Sequence, residues 1–200
     1  MKTFVISSLL LCSTIPIFAQ PARWAYTDKQ TLLDQYRRTQ KEVNDETANL
    51  SVAQWNFREA PDRWNIGEVL EHLNMWQLVT LENVRYALYL GPHPELVQSV
   101  PSDSVTFSFI YEEGAHVSPD FTIPTGLIPD ANNLKIFNLK CDEIINGIAA
   151  IEGDFRAYIR LGKDGWHRNL AQIYIIQYGH VDRHLRQIRK IKADAKFPEN

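Results

Sequence analysis

Hydrophobic residues recur at helical spacing in four long segments of the chain, and polar residues occupy the positions between them. These segments cover approximately residues 27–48, 65–90, 132–152 and 165–195. The second segment stops before Gly91 and Pro92, a pair that ends helices, and the third stops before Gly153. Four amphipathic segments of this length predict an all-α fold, a four-helix bundle whose apolar faces meet in one core.

The connection between the second and third predicted helices, residues 91–131, is long and rich in proline. Its aromatic residues argue against a disordered linker. Segment 106–111 alternates between polar and apolar residues, which indicates a short strand or an extended cover. We therefore expect this connection to form a lid or a binding loop over the bundle.

Three histidines lie on apolar faces of the predicted helices. His180 and His184 are four residues apart on a narrow apolar stripe of the last helix, a stripe that also includes Trp166. His72 lies in the second helix, about 40° around the helix axis from Trp76 and near the edge of a broad apolar arc. All three side chains are therefore predicted to face the core.

A shared divalent ion would explain three inward-facing histidines. Burying an imidazole without a partner costs about 1–3 kcal/mol, and an ion bound by His72, His180 and His184 would remove that cost. Zinc is the expected ion, with nickel or another transition metal as the alternative. Three protein ligands leave coordination positions open, which is typical of catalytic rather than structural zinc sites. The competing interpretation is a set of separate histidines, each bonded to backbone or to a neighbour such as Gln187.

The other polar residues near these histidines have simpler explanations. Glu68 lies one turn before His72 and could orient its ring, but a carboxylate in the first turn of a helix is also favoured by the helix dipole, and we prefer that explanation. Asp182 and Arg183 project away from the stripe, so we predict a solvated face for them. No carboxylate can be assigned as a general base, so no catalytic residue is predicted.

Three more histidines and a cysteine have side chains that can bind metals. His116 lies in the long connection and could approach a metal as a lid closes, although a surface position is favoured for it, as for His93 and His167. Cys141 shares a helical face with residues such as Ile144. It is therefore predicted to be a small buried hydrophobe rather than a nucleophile or a metal ligand.

Composition excludes several classes of protein. The 200 residues are 44% hydrophobic and 22% charged, as expected of one globular domain. The formal net charge is −3, and the basic residues outside the last helix are scattered, so nucleic acid is not an expected partner. We expect a small-molecule substrate as the partner, and a homodimer is an assembly compatible with this chain.

The first residues are typical of a secretory signal peptide. Lys2 supplies a positive charge, an apolar run follows over residues 4–12, and Ala19 ends a plausible cleavage region. The run is shorter than the roughly 20 residues that span a bilayer. We therefore predict a signal peptide over residues 1–19 and a mature domain over 20–200, exported to the periplasm or secreted. Acylation of Cys12 is the alternative, but Leu11 stands where a small residue is expected.

Two longer motifs connect these observations. Residues 50–57 read LSVAQWNF and residues 61–73 read PDRWNIGEVLEHL, while residues 179–188 read GHVDRHLRQI. Together they resemble the DinB-like superfamily of metal-binding four-helix bundles. In that superfamily a Trp-Ser-x-x-Glu-x-x-x-His-Leu pattern opens the second helix and a His-x-x-x-His-x-x-Gln-Ile pattern lies on the fourth. Asn65 stands here where serine is common.

The resemblance implies an up-down-down-up bundle with a long connection between helices 2 and 3, and a divalent metal on His72, His180 and His184. It also implies a reaction class, since relatives include thiol-dependent transferases and isomerases and proteins described as metal-dependent hydrolases. Our leading hypothesis is an exported metal-dependent enzyme with hydrolytic or thiol-transfer chemistry. The alternative is a metal-binding or ligand-binding bundle without turnover, and a degenerate bundle without metal is a weaker one.

Overall fold

The structure is a computed structural model, which describes residues 26–112, 117–163 and 166–199. Six α-helices are present in this part of the chain: α1 (Tyr26–Thr47), α2 (Val52–Trp55), α3 (Ile66–Leu90), α4 (Asp103–Tyr111), α5 (Asp130–Ala150) and α6 (Leu170–Lys192). Short 3₁₀ helices cover Pro94–Ser99 and Asp120–Thr122. Strands β1 (Ile159–Arg160) and β2 (Arg168–Asn169) form an antiparallel pair before α6. The predicted all-α bundle is confirmed.

The helices that run in the same direction can be identified from their side-chain contacts. Between α1 and α6, successive contacts join Arg38 to Asp182, Glu42 to Arg189 and Glu46 to Lys192. Between α3 and α5, they join Asn74 to Asn133, Gln77 to Cys141 and Arg85 to Glu143. Residue numbers rise together in both series, so each pair of helices is parallel.

The remaining neighbours are antiparallel. Between α1 and α5, contacts join Lys29 to Ala149 and Asn44 to Asn138. Between α3 and α6, they join His72 to His180 and Thr80 to Gln177. Residue numbers fall on one helix as they rise on the other, so the order of directions is up-down-down-up. This topology places α3 beside α6, which is the pair of helices that carries the three histidines.

The core consists of two hydrophobic clusters along the bundle axis. One cluster surrounds Tyr36, Phe155 and Tyr174, and the other surrounds Ile66, Phe137 and Leu185. Both contain residues of α1, α3, α5 and α6, so every long helix contributes to burial. Burial of apolar area at about 25 cal/mol per Å² is the main stabilising term in such a core. Apolar packing therefore holds the four long helices together, including α6, which carries His180 and His184.

Two predicted elements were wrong in detail. Segment 106–111 is neither a strand nor an extended cover but part of helix α4. Its residues Thr106 and Ile110 are four apart and buried, which puts both on one helical face. The last helix begins at Leu170 rather than near residue 165, because Arg168 and Asn169 pair with β1 and Asn169 caps the helix. Trp166 consequently lies before the helix and outside the histidine stripe.

Two features of the sequence lie outside the described residues, the signal-peptide region with Cys12 and the loop residue His116. The signal peptide and the domain boundary at 19/20 stay predictions. Within the described parts of the chain, no helix has the length and apolar character needed to cross a membrane.

Candidate metal centre

Helix α3 begins with a capping box that fixes the first turn below His72. Asn65 is the N-cap: its Oδ1 accepts a hydrogen bond from the Glu68 backbone N–H at 2.8 Å, and its own N–H donates to Glu68 Oε2 at 3.0 Å. Asparagine therefore serves here as well as serine would. Glu68 also accepts from Arg58 at 2.6 Å. Glu68 thus acts as a first-turn carboxylate of α3, as the sequence predicts, and bonds to Arg58 and Asn65 rather than to the His72 ring.

The three histidine rings converge between α3 and α6. His72 Nε2 lies 3.3 Å from His180 Nε2, and His184 Nε2 lies 3.0 Å from His180 Nε2. One ligand atom from each residue can be chosen so that all three lie within 4.8 Å of one another. His72 and His184 are buried, and His180 is partly exposed. One ion could therefore contact all three rings.

The outer nitrogens of two rings are bonded to oxygens that can only accept. His72 Nδ1–H donates to the Thr122 carbonyl at 2.7 Å, and His184 Nδ1–H donates to Gln187 Oε1 at 2.8 Å. A ring that carries its proton on Nδ1 presents a lone pair on Nε2. The Nε2 lone pairs of His72 and His184 therefore both point into the cluster. His180 has one Nε2–H at most, so it could donate a hydrogen bond to only one of them. A cation would satisfy all three nitrogens at once.

The environment also favours the neutral form that binds metals. Burial lowers the pKa of His72, against the opposing effect of its bond to Thr122. Burial is the main cause that lowers the pKa of His184 to about 3. Neutral imidazole is the metal-binding state and a good ligand for zinc and neighbouring transition metals. The residues present therefore fit a divalent transition metal.

A buried carboxylate that the sequence analysis missed holds the loop that supplies Thr122. Glu71 is 3% exposed. Its Oε1 accepts from the Thr125 N–H at 2.8 Å and from the Thr125 hydroxyl at 2.6 Å, and its Oε2 accepts from the Gly126 N–H at 2.9 Å. The sequence contains one signal for this role: Glu71 directly precedes the inward-facing His72. A carboxylate that is buried at such a position needs hydrogen-bond partners.

Comparison with known protein families agrees with this geometry. The family description of the DinB superfamily matches residues 35–188, which extend from α1 to α6 and include all three histidines. The chain belongs to the DinB superfamily. No curated protein and no solved structure matches it. Metal binding is therefore supported at the level of the superfamily and of the three-histidine cluster.

Two neighbouring depressions border the cluster. His180 lines an apolar cavity together with Trp76, and His184 lines a more polar groove together with Trp64. Arg183 lines both. The Trp64 ring lies 4.9 Å from the His72 ring, and the Trp76 ring lies 5.3 Å from the His180 ring, as measured between centroids. One tryptophan therefore packs beside the His72 ring and the other beside the His180 ring.

The prediction that Asp182 and Arg183 lie on a solvated face is wrong, because both side chains bond to neighbouring parts of the fold. Asp182 forms a two-pronged ion pair with Arg38 of α1, with both N···O distances at 2.9 Å. Arg183 donates to the Glu112 carbonyl at 3.2 Å, at the end of α4. Asp182 is therefore held against α1, whereas Arg183 lines the depressions beside His180 and His184.

The remaining candidates lie away from the cluster. His93 bonds to Glu95 at 3.0 Å, and His167 accepts from the Gly162 N–H at 3.3 Å. Cys141 is buried and accepts from Gln77 Nε2 at 3.0 Å. Burial raises the pKa of its thiol to about 12, so it is not a nucleophile at neutral pH. The prediction of a small buried cysteine is confirmed.

Proposed function

We propose that this chain is an exported metal-dependent enzyme in which His72, His180 and His184 hold a divalent ion, most naturally zinc. The observation that carries the proposal is the convergence of three ring nitrogens within 4.8 Å, with two of the rings oriented by carbonyl oxygens. Three neutral ligands leave the charge of the ion uncompensated and coordination positions open. When bound by these three histidines, such an ion would supply Lewis-acid chemistry that favours the nucleophilic form of a water molecule or of a substrate thiol.

The side chains around the cluster have separate roles in this proposal. Thr122 and Gln187 fix the ring orientations of His72 and His184, and Glu71 holds the loop that carries Thr122. Trp64 and Trp76 pack beside the rings of His72 and His180. Together they would hold a substrate at a preorganised and partly dry site, where electrostatic interactions are stronger than in bulk water.

Hydrolysis is the preferred reaction class because of the predicted export. If the signal peptide is removed near Ala19, the mature enzyme acts where cytoplasmic thiols are scarce and water is the available nucleophile. Thiol transfer is the second version of the same proposal. The substrate bond would be an ester, an amide or a related group.

The decisive experiment combines metal analysis with an activity panel. Protein purified without a histidine tag should contain about one transition-metal ion per chain, as determined by elemental analysis. A panel of hydrolase substrates, run with and without added thiols, should show activity without thiol. His184→Ala should lose both metal and activity, whereas His93→Ala, which lies away from the cluster, should keep both. N-terminal sequencing of the exported protein tests the cleavage site.

A non-catalytic metal-binding or ligand-binding bundle is the second candidate, and one observation favours it. The two carboxylates nearest to His72 in sequence are engaged elsewhere, Glu68 in the helix cap and Glu71 in the loop. Among the residues that the structure describes, the metal-ligand cluster contains histidines but no carboxylate that could act as a base. Stoichiometric metal without activity in either arm of the panel would establish this candidate.

A further inference from the structure

The polar groove beside His184 carries more positive than negative charge. Its volume is about 640 Å³, and pockets for small molecules measure about 300–1,000 Å³. Four basic and two acidic residues line it, so its net charge is +2 with its histidine neutral. The whole chain, by contrast, has a formal net charge of −3. The charged residues of the lining are Arg63, Arg183, Arg186 and Lys190 with Glu59 and Asp62.

The positive charges of the groove come from two separate parts of the fold. Arg183, Arg186 and Lys190 follow one another on α6 at spacings of three and four residues, which makes them neighbours on the helix surface. Arg63 lies in the segment between α2 and α3, directly before Trp64, whose ring packs beside His72. A ligand in this groove would therefore meet cations from both parts of the fold, next to His184.

Two of the four cations are not neutralised by a carboxylate. Lys190 Nζ lies 3.0 Å from Glu59 Oε1 and is paired. Among the described residues, Arg63 and Arg186 form no ion pair. The Arg186 guanidinium lies 5.7 Å from the centroid of the Tyr111 ring, a contact that leaves its charge uncompensated. Guanidinium groups are the preferred protein partners of carboxylate and phosphate oxygens, so both arginines are suited to bind an anion.

The candidate metal centre would add to this positive charge rather than offset it. Among the described residues, its ligand set is three histidines without a carboxylate, so a bound divalent ion would keep its full charge. The charges of Arg183 and Arg186 also reach this centre: burial is the main cause of the low pKa of His184, and the two arginines act in the same direction. Such a concentration of one sign of charge in a groove attracts ligands of the opposite sign.

We propose that this groove selects the substrate, and that the substrate is a small molecule with an oxyanion group, a carboxylate or a phosphate, bound by Arg63 and Arg186. The role of the ligand as a substrate rests on the metal-dependent function proposed above, but the binding of an anion does not. With its oxyanion held by the two arginines, the rest of the molecule would lie beside His184 and the nitrogen cluster.

Benzoate and benzamide make a matched pair of probes, because they have nearly the same shape and differ in charge. Their affinities are measured by ligand-observed NMR on metal-free protein, where no ion can bind the carboxylate, and then on zinc-loaded protein. Benzoate should bind at least about threefold more tightly than benzamide, since one exposed ion pair contributes up to about fivefold in affinity. Added salt should reduce this preference. Phenyl phosphate is measured in parallel.

The indole N–H resonances of tryptophan locate the binding. Trp64 lines the groove, so its resonance should shift when benzoate is added. Trp55 is 6% exposed and belongs to the core, so its resonance should stay in place. Trp64→Phe and Trp55→Phe identify the two signals.

Charge variants separate the groove from general effects of net charge. Arg63→Gln and Arg186→Gln should each reduce the preference for benzoate, and together they should abolish it. Arg186→Lys, which keeps the charge, should retain most of it. Arg37→Gln is the matched control, because it removes the same charge from an exposed arginine of α1 that pairs with Asp34 and does not line the groove. Asp62→Asn should strengthen benzoate binding, an effect that damage to the fold would not produce.

The outcomes distinguish this proposal from the metal-dependent function. If either anion binds with the expected dependence on the arginines and zinc does not bind, the anion groove stands and the metal-dependent function fails. If zinc binds stoichiometrically and neither anion is preferred over benzamide, the groove is refuted and the metal site is untouched. Equal losses in Arg37→Gln and Arg186→Gln, or unchanged affinity in Asp62→Asn, would also refute the groove. Binding of phenyl phosphate without benzoate would assign it to phosphate rather than carboxylate.

Discussion

Replacing Gly179 by alanine tests how closely α4 packs on α6. The added Cβ would lie 2.6 Å from Ile110 Cγ2 and 3.0 Å from Ile110 Cδ1. Carbon atoms in favourable contact are about 3.5–4.0 Å apart, so one side must shift. Ile110 is 5% exposed and belongs to the hydrophobic core. Its side chain therefore has little room to move unless the whole of α4 moves with it.

Two opposing effects set the magnitude of the change. Alanine is favoured over glycine in a helix interior by about 1 kcal/mol, whereas overpacking a core costs about 1–3 kcal/mol. Gly179→Ala should therefore change the free energy of unfolding by between zero and a loss of about 2 kcal/mol. Gly147→Ala is the matched control, because a Cβ at that position of α5 has no atom within 4 Å. It should stabilise the protein by up to about 1 kcal/mol.

The assay is urea and thermal unfolding of both variants, followed by circular dichroism. The two variants should differ by about 1–3 kcal/mol, which corresponds to about 2–12 °C in Tm for a chain of this size. If Gly179→Ala proves as stabilising as Gly147→Ala, the close contact between α4 and α6 does not exist and the reasoning is refuted.

Three further predictions concern the site and its supports. His180→Ala and His184→Ala should each abolish stoichiometric metal binding without loss of helix, since apolar packing holds the bundle together. Metal analysis and circular dichroism on the same samples test this prediction. Loss of helix together with metal would show instead that the ion is structural. Glu71→Gln should weaken metal affinity about 10-fold, because Glu71 bonds to the loop whose Thr122 orients the His72 ring. Glu68→Gln, which changes the helix cap instead, should leave the affinity unchanged. Equal effects of the two variants in a metal titration would contradict the role of Glu71. Burial acts to raise the pKa of Asp103, but the hydrogen bonds from Arg156 and Gln172 outweigh burial, so the pKa is lowered. The charged carboxylate therefore stabilises the fold above the ordinary aspartate pKa of about 3.9. This stabilisation is lost as the pH falls through the lowered pKa. Unfolding free energies across that range should show Asp103→Asn losing its deficit relative to the unmodified protein at low pH, and a constant deficit would be the contrary result.

The sequence by itself was sufficient for the long helices and for the inward direction of the three histidines. Both follow from periodicity, because burial of apolar side chains repeats every 3.6 residues in a helix. The end of α3 at Leu90 was equally readable, since Gly91 adopts a positive φ of 79° that favours glycine. Such local signals depend on neighbours in sequence and survive without any knowledge of tertiary contacts.

Only the tertiary structure decided what surrounds the histidines. Helix α4 alternates in sequence like a strand, and its helical form is stabilised by burial of Thr106 and Ile110 rather than by its own pattern. The bonds from His72 to Thr122 and from Glu71 to Thr125 join residues about 50 positions apart, and no periodicity encodes such pairs. The cavity beside His180 likewise exists only because three helices meet there. Pattern determines which face of a helix is buried, but the partner of each buried polar atom is determined by packing, and the chemistry of this site depends on those partners.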